Sequence, residues 1–94
     1  MSQINKIGVI GAGNMGSGIA QKIAQEGLNV VVIDIKDEFV ERGLGNIKQL
    51  LGEGVDRGIF TPAQVEEILS RIKGSTDFSA IADADLVIEA VFED

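Results

Sequence analysis

The sequence predicts an α/β domain: a parallel four-stranded sheet in spatial order 3-2-1-4, with a helix pair between the second and third strands. Three observations carry that reading. Short β-branched runs alternate with stretches of helical period, as in parallel strands joined by helical crossovers. The first run, Lys6 to Ile10, passes straight into Gly11-Ala12-Gly13-Asn14-Met15-Gly16. The second, Val30 to Ile33, ends on Asp34.

Ile4 to Ile10 is expected as the first strand. Ile7, Val9 and Ile10 make the nearly unbroken apolar run of a strand covered on both faces. The first helix is expected to start at Asn14 or Met15. Met15, Ile19, Ala20, Ile23 and Ala24 recur at helical spacing and form its buried face, while Gln21, Lys22, Gln25 and Glu26 face water. Gly27 stands where a helix closes on a left-handed residue. Val30 to Ile33 is the second strand, parallel to the first because a right-handed crossover joins them. From Asp37 onward, Val40, Leu44, Ile47, Leu51 and Val55 mark one face of a long helix. Gly43, Gly45 and Gly52 each weaken it by up to ~1 kcal/mol relative to alanine, and are either tolerated or points of close packing.

Asp56-Arg57-Gly58 is the turn out of that helix. Thr61-Pro62-Ala63-Gln64 opens the next one: Thr61 can cap, Pro62 fits the first helical position, and Gln64 can reach back to close a capping box. Val65, Ile68, Leu69 and Ile72 form its apolar face, and Gly74 is expected to stop it. Ser75 to Phe78 is a short third strand or its end, Ser79 to Ala84 a brief helical turn, and Leu86 to Val91 the fourth strand. The strand order reverses between strands one and four, so a ligand crevice is expected there, outside their carboxyl ends. Residues 1–94 read as one domain, with no internal repeat or linker.

Composition removes several classes of function. A chain of 94 residues holds one small domain with a modest core. No apolar run approaches the ~20 residues of a membrane span, and the N-terminus MSQINK lacks the apolar core of a signal peptide, so no membrane partner is expected. The net charge of −7 argues against nucleic acid and reads as a device for solubility. The absence of cysteine excludes disulfide and thiolate chemistry, and nothing points to an oxidising compartment, so a cytoplasmic location is expected. The absence of histidine removes the commonest general base and the commonest metal ligand. No catalytic and no metal-ligating residue is expected.

The glycine turn carries the chemistry. Gly11 permits a tight turn after the strand, Gly13 lets a pyrophosphate approach the backbone, and Gly16 lets the helix pack closely. The backbone N–H groups of Asn14, Met15 and their neighbours face outward at a helix N-terminus, where the dipole also favours an anion. Such a turn can be purely steric. Here it follows a strand, opens a helix and precedes an acid, which points to a dinucleotide. Asp34 stands 23 positions after Gly11, near the ~20 expected of the acid that accepts from a ribose. Its charge would repel a 2′-phosphate and so favours NAD over NADP, with Lys36 close enough to soften the preference. The alternative for Asp34 is a cap on the following helix. Glu89 interrupts the fourth strand and is either a crevice-facing or an edge carboxylate. Glu93 lies just beyond it, toward the crevice.

Taken together, IGVIGAGNMGSGIAQ, the acid at Asp34 and ADADLVIEAVFED resemble the N-terminal part of the 3-hydroxyacyl-CoA dehydrogenase family, including the 3-hydroxybutyryl-CoA dehydrogenases. The helix pair between Asp37 and Ile72 resembles that family's insertion as well. The resemblance spans essentially the whole chain and implies half of a Rossmann-type domain that binds NAD(H). It implies that Gly11, Ala12, Gly13, Asn14, Met15 and Gly16 surround the pyrophosphate and that Asp34 holds the adenosine ribose. It also implies that Ala90 and Val91 line the nicotinamide side, with Glu93 near the nicotinamide ribose. Asn14 stands where the family often has threonine, a mild change for a contact made through backbone.

The implied reaction is hydride transfer between NAD and the 3-hydroxyl or 3-keto carbon of an acyl-CoA. The family's catalytic histidine, its glutamate partner, a substrate-contacting serine and a helical dimerisation domain would lie beyond Asp94. The chain therefore reads as a truncated cofactor module, inactive alone and meeting acyl-CoA only within a longer enzyme. A strand that normally covers the fourth would then be missing, leaving Leu86 to Val91 as an open edge for self-association. Two other readings remain: a stand-alone nucleotide-binding module, or part of a 3-hydroxyacid or 6-phosphogluconate-type dehydrogenase. The long helix pair and the VIEAVFED ending do not suit the latter.

Overall fold

A computed structural model describes residues 4–90. The chain forms β1 (Lys6–Ile10), α1 (Asn14–Gln25), β2 (Asn29–Ile33), α2 (Asp37–Asp56), α3 (Pro62–Ser70), β3 (Ile72–Ser75), a 3₁₀ turn (Phe78–Ile81) and β4 (Leu86–Glu89). The strands are parallel and lie in the order β3-β2-β1-β4, as expected.

One face of the sheet holds the main core. Ile7 and Val9 of β1 and Val30 and Val32 of β2 meet Ala20 and Ala24 of α1, Ile47 and Leu51 of α2, and Ile68 of α3. The opposite face is covered more thinly. Among the described residues the 3₁₀ turn and Ala84 just after it pack there, with Ile81 against Val31 and Ile33. Gly8 makes that approach possible, because a Cβ on it would lie 2.8 Å from Ile81 Cγ2. Val87, the register neighbour of Gly8 on β4, stays 45% exposed.

Local chemistry accounts for the element boundaries. α1 closes on Gly27, whose φ of +94° lies in the left-handed region. α3 opens with the full capping box: Thr61 Oγ1 accepts from the Gln64 N–H (3.2 Å) and Gln64 Oε1 accepts from the Thr61 N–H (2.9 Å). α3 ends four residues before Gly74, contrary to the helical reading of Ile72 and Gly74. By Arg71 the chain has already joined the sheet, since the Val30 N–H donates to the Arg71 carbonyl. Ile72 is buried as expected, but as a strand residue paired with Val30. Gly74 lies in the same strand, where a Cβ would collide with Val40 of α2. β3 is thus Ile72–Ser75: of the expected Ser75 to Phe78, Ser75 is the strand's end and Phe78 opens the 3₁₀ turn.

The three glycines expected as weak points in α2 divide. Gly45 and Gly52 face open space and are tolerated. Gly43 is a close-packing point against the turn after β1. Among the described residues no helix is long and apolar enough to cross a membrane.

Candidate dinucleotide site

The turn between β1 and α1 is built from backbone hydrogen bonds. Gly11 has φ +111°, which an L side chain rarely adopts, and its N–H donates to the Ile33 carbonyl at 2.7 Å. Ala12 is buried and pinned on both sides. Its N–H donates to Asp34 Oδ2 (2.8 Å), and its carbonyl accepts from the Ser17 hydroxyl (3.0 Å). Gly13 is the N-cap of α1 and no side chain caps that helix. The first N–H groups of α1 have no intrahelical partner and sit at the positive end of the helix dipole. Gly16 packs so tightly that a Cβ would run into the Gly11 carbonyl oxygen. A Cβ on Gly13 would meet nothing within 4 Å, so the turn is open on that side.

That open side faces a cleft of about 590 Å³, within the ~300–1,000 Å³ of small-molecule and cofactor sites. Ile10, Gly11, Gly13, Asn14 and Met15 line it from the end of β1 and the turn into α1, and Asp34, Ile35 and Phe39 from the end of β2 to the start of α2. Phe78 and Ala90 complete it. The cleft lies outside the carboxyl ends of β1, β2 and β4, where the strand order reverses. Asp34 accepts from two backbone donors, Ala12 N–H on Oδ2 and Ile35 N–H on Oδ1 (2.7 Å). Each carboxylate oxygen has a second lone pair, so the group is oriented and can still accept from a ligand hydroxyl. Asp34 does not cap α2, whose N-cap is Lys36 with no side-chain bond. Lys36 Nζ instead sits 5.7 Å from the Phe39 ring centroid, with the Arg42 guanidinium at 5.8 Å. Among the described residues the one ion pair is Lys6–Asp83, so Asp34 presents its charge to the cleft without a cation beside it.

Of the residues expected at a dinucleotide, Gly11, Gly13, Asn14, Met15, Asp34 and Ala90 border the cleft. Ala12 and Gly16 lie buried behind it and hold its shape. Val91 and Glu93 lie outside the described residues. Glu89 is exposed on β4, and its neighbour Ala90 borders the cleft instead. Met15 was also expected in the buried face of α1, and there the structure differs: it is 61% exposed. It belongs to the first turn of the helix, at the mouth of the cleft rather than over the sheet.

Ile35, Phe39 and Phe78 were not anticipated. Ile35 and Phe78 are large apolar side chains left exposed, and both converge with Met15 on this cleft. Ile35 directly follows the acid, which was the available signal in the sequence. Phe78 had no such signal. An apolar-walled cleft with an uncapped helix N-terminus and an oriented carboxylate fits a dinucleotide with its pyrophosphate and ribose.

Comparison with known proteins agrees. Residues 6–94 match the family described as 3-hydroxyacyl-CoA dehydrogenase, NAD binding domain. The chain belongs to that family. The 3-hydroxyacyl-CoA dehydrogenase NAD-binding domain accounts for the parallel sheet, the helix pair and the turn together, and NAD is its cofactor. The chain is 52% identical over 88 residues to a probable 3-hydroxybutyryl-CoA dehydrogenase of Deinococcus radiodurans, covering 94% of this chain and 31% of that protein. It is 47% identical over 91 residues to the fatty acid oxidation complex subunit alpha of Psychrobacter arcticus, covering 97% of this chain and 13% of that protein. The fold superposes on the crystal structure of an (S)-3-hydroxybutyryl-CoA dehydrogenase from Ralstonia eutropha with a TM-score of 0.94 at 41% identity, covering 98% of this chain and 32% of that one. The chain thus spans between about an eighth and a third of the length of these relatives.

Proposed function

We propose that this domain holds NAD for hydride transfer to and from the 3-position of an acyl-CoA in a longer 3-hydroxyacyl-CoA dehydrogenase. The observation that carries the reading is that an uncapped α1 N-terminus and the oriented Asp34 carboxylate line one cleft. In it the N–H groups of Gly13, Asn14 and Met15 receive the pyrophosphate. Asp34 accepts from the adenosine ribose, and its charge disfavours a 2′-phosphate. Ile35, Met15 and Phe78 give the adenosine half an apolar wall, while Ala90, Val91 and Glu93 serve the nicotinamide end. NAD supplies the hydride acceptor, and the residues of this chain bind and orient it. No histidine is present to take the hydroxyl proton, so the domain by itself turns over no substrate. A cytoplasmic location suits an acidic chain with no cysteine.

Calorimetric titration tests this reading. NAD and ADP-ribose are expected to bind the chain, and Asp34→Ala to weaken both by tenfold or more through loss of charge-assisted hydrogen bonds. The chain mixed with NADH and acetoacetyl-CoA should show no loss of absorbance at 340 nm. Equal affinity in Asp34→Ala, or an enzyme-like rate, would sink the proposal.

We also infer that the edge of β4 pairs with a strand of a second copy. Among the described residues β4 has only β1 as a neighbour, and Leu86 and Val87 are nearly half exposed. Light scattering at rising concentration should show mass above the monomer, and a clean monomer throughout would refute it.

A further inference from the structure

We propose that Ser17 is a positioning residue for the pyrophosphate, acting through the peptide unit between Ala12 and Gly13. This rests on the reading that the cleft holds NAD, and it assigns a task to a residue outside the glycine pattern.

Among the described residues Ser17 is the buried polar side chain, 3% exposed. Its hydroxyl donates to the Ala12 carbonyl, five residues earlier. Helical serines more often bond back to a carbonyl three or four residues earlier in their own helix. Here the bond leaves the helix and fixes the turn. A trans peptide is planar, so its C=O and N–H point in opposite directions. Holding the Ala12 carbonyl inward on Ser17 therefore aims the Gly13 N–H outward, and Gly13 itself lines the cleft. Among the described residues that N–H donates to no backbone carbonyl outside the regular elements and to no side chain.

Gly43 of α2 closes the device from behind. A Cβ there would lie 2.5 Å from the Ala12 oxygen and 2.8 Å from Ser17 Oγ. The backbone of α2 thus packs directly against the bonded pair. On the other side of Ala12, Asp34 holds the preceding N–H. The two peptide units that flank Ala12 are each fixed by one side chain. One of those side chains is the ribose acid, and the other is Ser17.

Removing the hydroxyl leaves a buried carbonyl without its donor, which favours rotation of the peptide toward water and turns the Gly13 N–H away from the cleft. The test compares ligands that use different parts of the site. In Ser17→Ala, NAD and ADP-ribose should bind about tenfold more weakly, while adenosine affinity, read by NMR titration, stays within twofold. Ser17→Cys, similar in size but a weak donor, should fall between the two. A separate measurement uses the unaltered chain: the Gly13 amide resonance should shift strongly with NAD and hardly with adenosine. Unchanged NAD affinity in Ser17→Ala, an equal loss for adenosine, or an unmoved Gly13 amide overturns the inference while the NAD reading stands. Failure of the unaltered chain to bind NAD at all overturns both.

Discussion

Two helices of this domain face the same backbone problem at their N-termini and meet it in opposite ways. The first N–H groups of any helix lack internal partners. At α3, Thr61 and Gln64 satisfy them with a capping box, and Pro62 removes one donor outright. At α1, Gly13 offers no side chain, the first turn carries no acid, and the donors stay open. Sequence alone could have placed serine, aspartate or asparagine at position 13, since its φ of −72° and ψ of −169° suit any of them. The closed terminus serves stability. On the proposed reading the open one is left for the pyrophosphate, and the oriented Asp34 carboxylate, which lines the same cleft, receives the ribose.

Making α1 resemble α3 should separate the two roles most sharply. Gly13→Asp supplies a cap at an allowed conformation, with open space for its Cβ. The helix should gain a few tenths of a kcal/mol, because glycine is already a fair N-cap. NAD binding should fall by a hundredfold or more, as the carboxylate occupies the donors and repels the pyrophosphate. Thermal unfolding and calorimetry on one preparation read both quantities. Parallel losses in stability and binding would mean that the open terminus is structural rather than reserved for a ligand.

The same contrast explains which parts of the domain were legible in the sequence. The α3 capping box and the Gly11 turn follow from local rules that act within a few residues, and the strand order from the alternation of strands and helices with right-handed crossovers. The Asp34 carboxylate was legible because the spacing from Gly11 encodes a strand-helix-strand unit. Ser17 and Gly43 were not. Both matter through a contact between α1 and α2 that no periodicity reports, and Gly43 looked like an ordinary helix weakness. Phe78 was missed for a related reason: it reaches the cleft only because the chain folds over the thinly covered face of the sheet. The boundary between α3 and β3 failed because Ile72 serves the same core from a strand as it would have from a helix. Burial pattern alone does not distinguish the two, and the hydrogen bond from Val30 to Arg71 decides it.

The reciprocal change, at the closed terminus, should be smaller and purely structural. Thr61→Ala removes the acceptor for the Gln64 N–H and leaves the other half of the box, Gln64 to the Thr61 N–H, without its counterpart. Loss of such a cap costs about 1 kcal/mol, which lowers the midpoint of thermal unfolding by roughly 4–8 °C in a domain of this size. Phe60 and Gln64 share a groove with Gln25, Glu26 and Gly27, so the start of α3 lies beside the end of α1. The Gly13 donors are a full helix length away, ~18 Å for twelve residues. NAD affinity should therefore be unchanged well below the unfolding midpoint, and Thr61→Ser should restore the stability. If NAD affinity in Thr61→Ala instead fell in step with the midpoint, the capped terminus would be part of what holds the open one in shape, and the division of labour between the two helices would not hold.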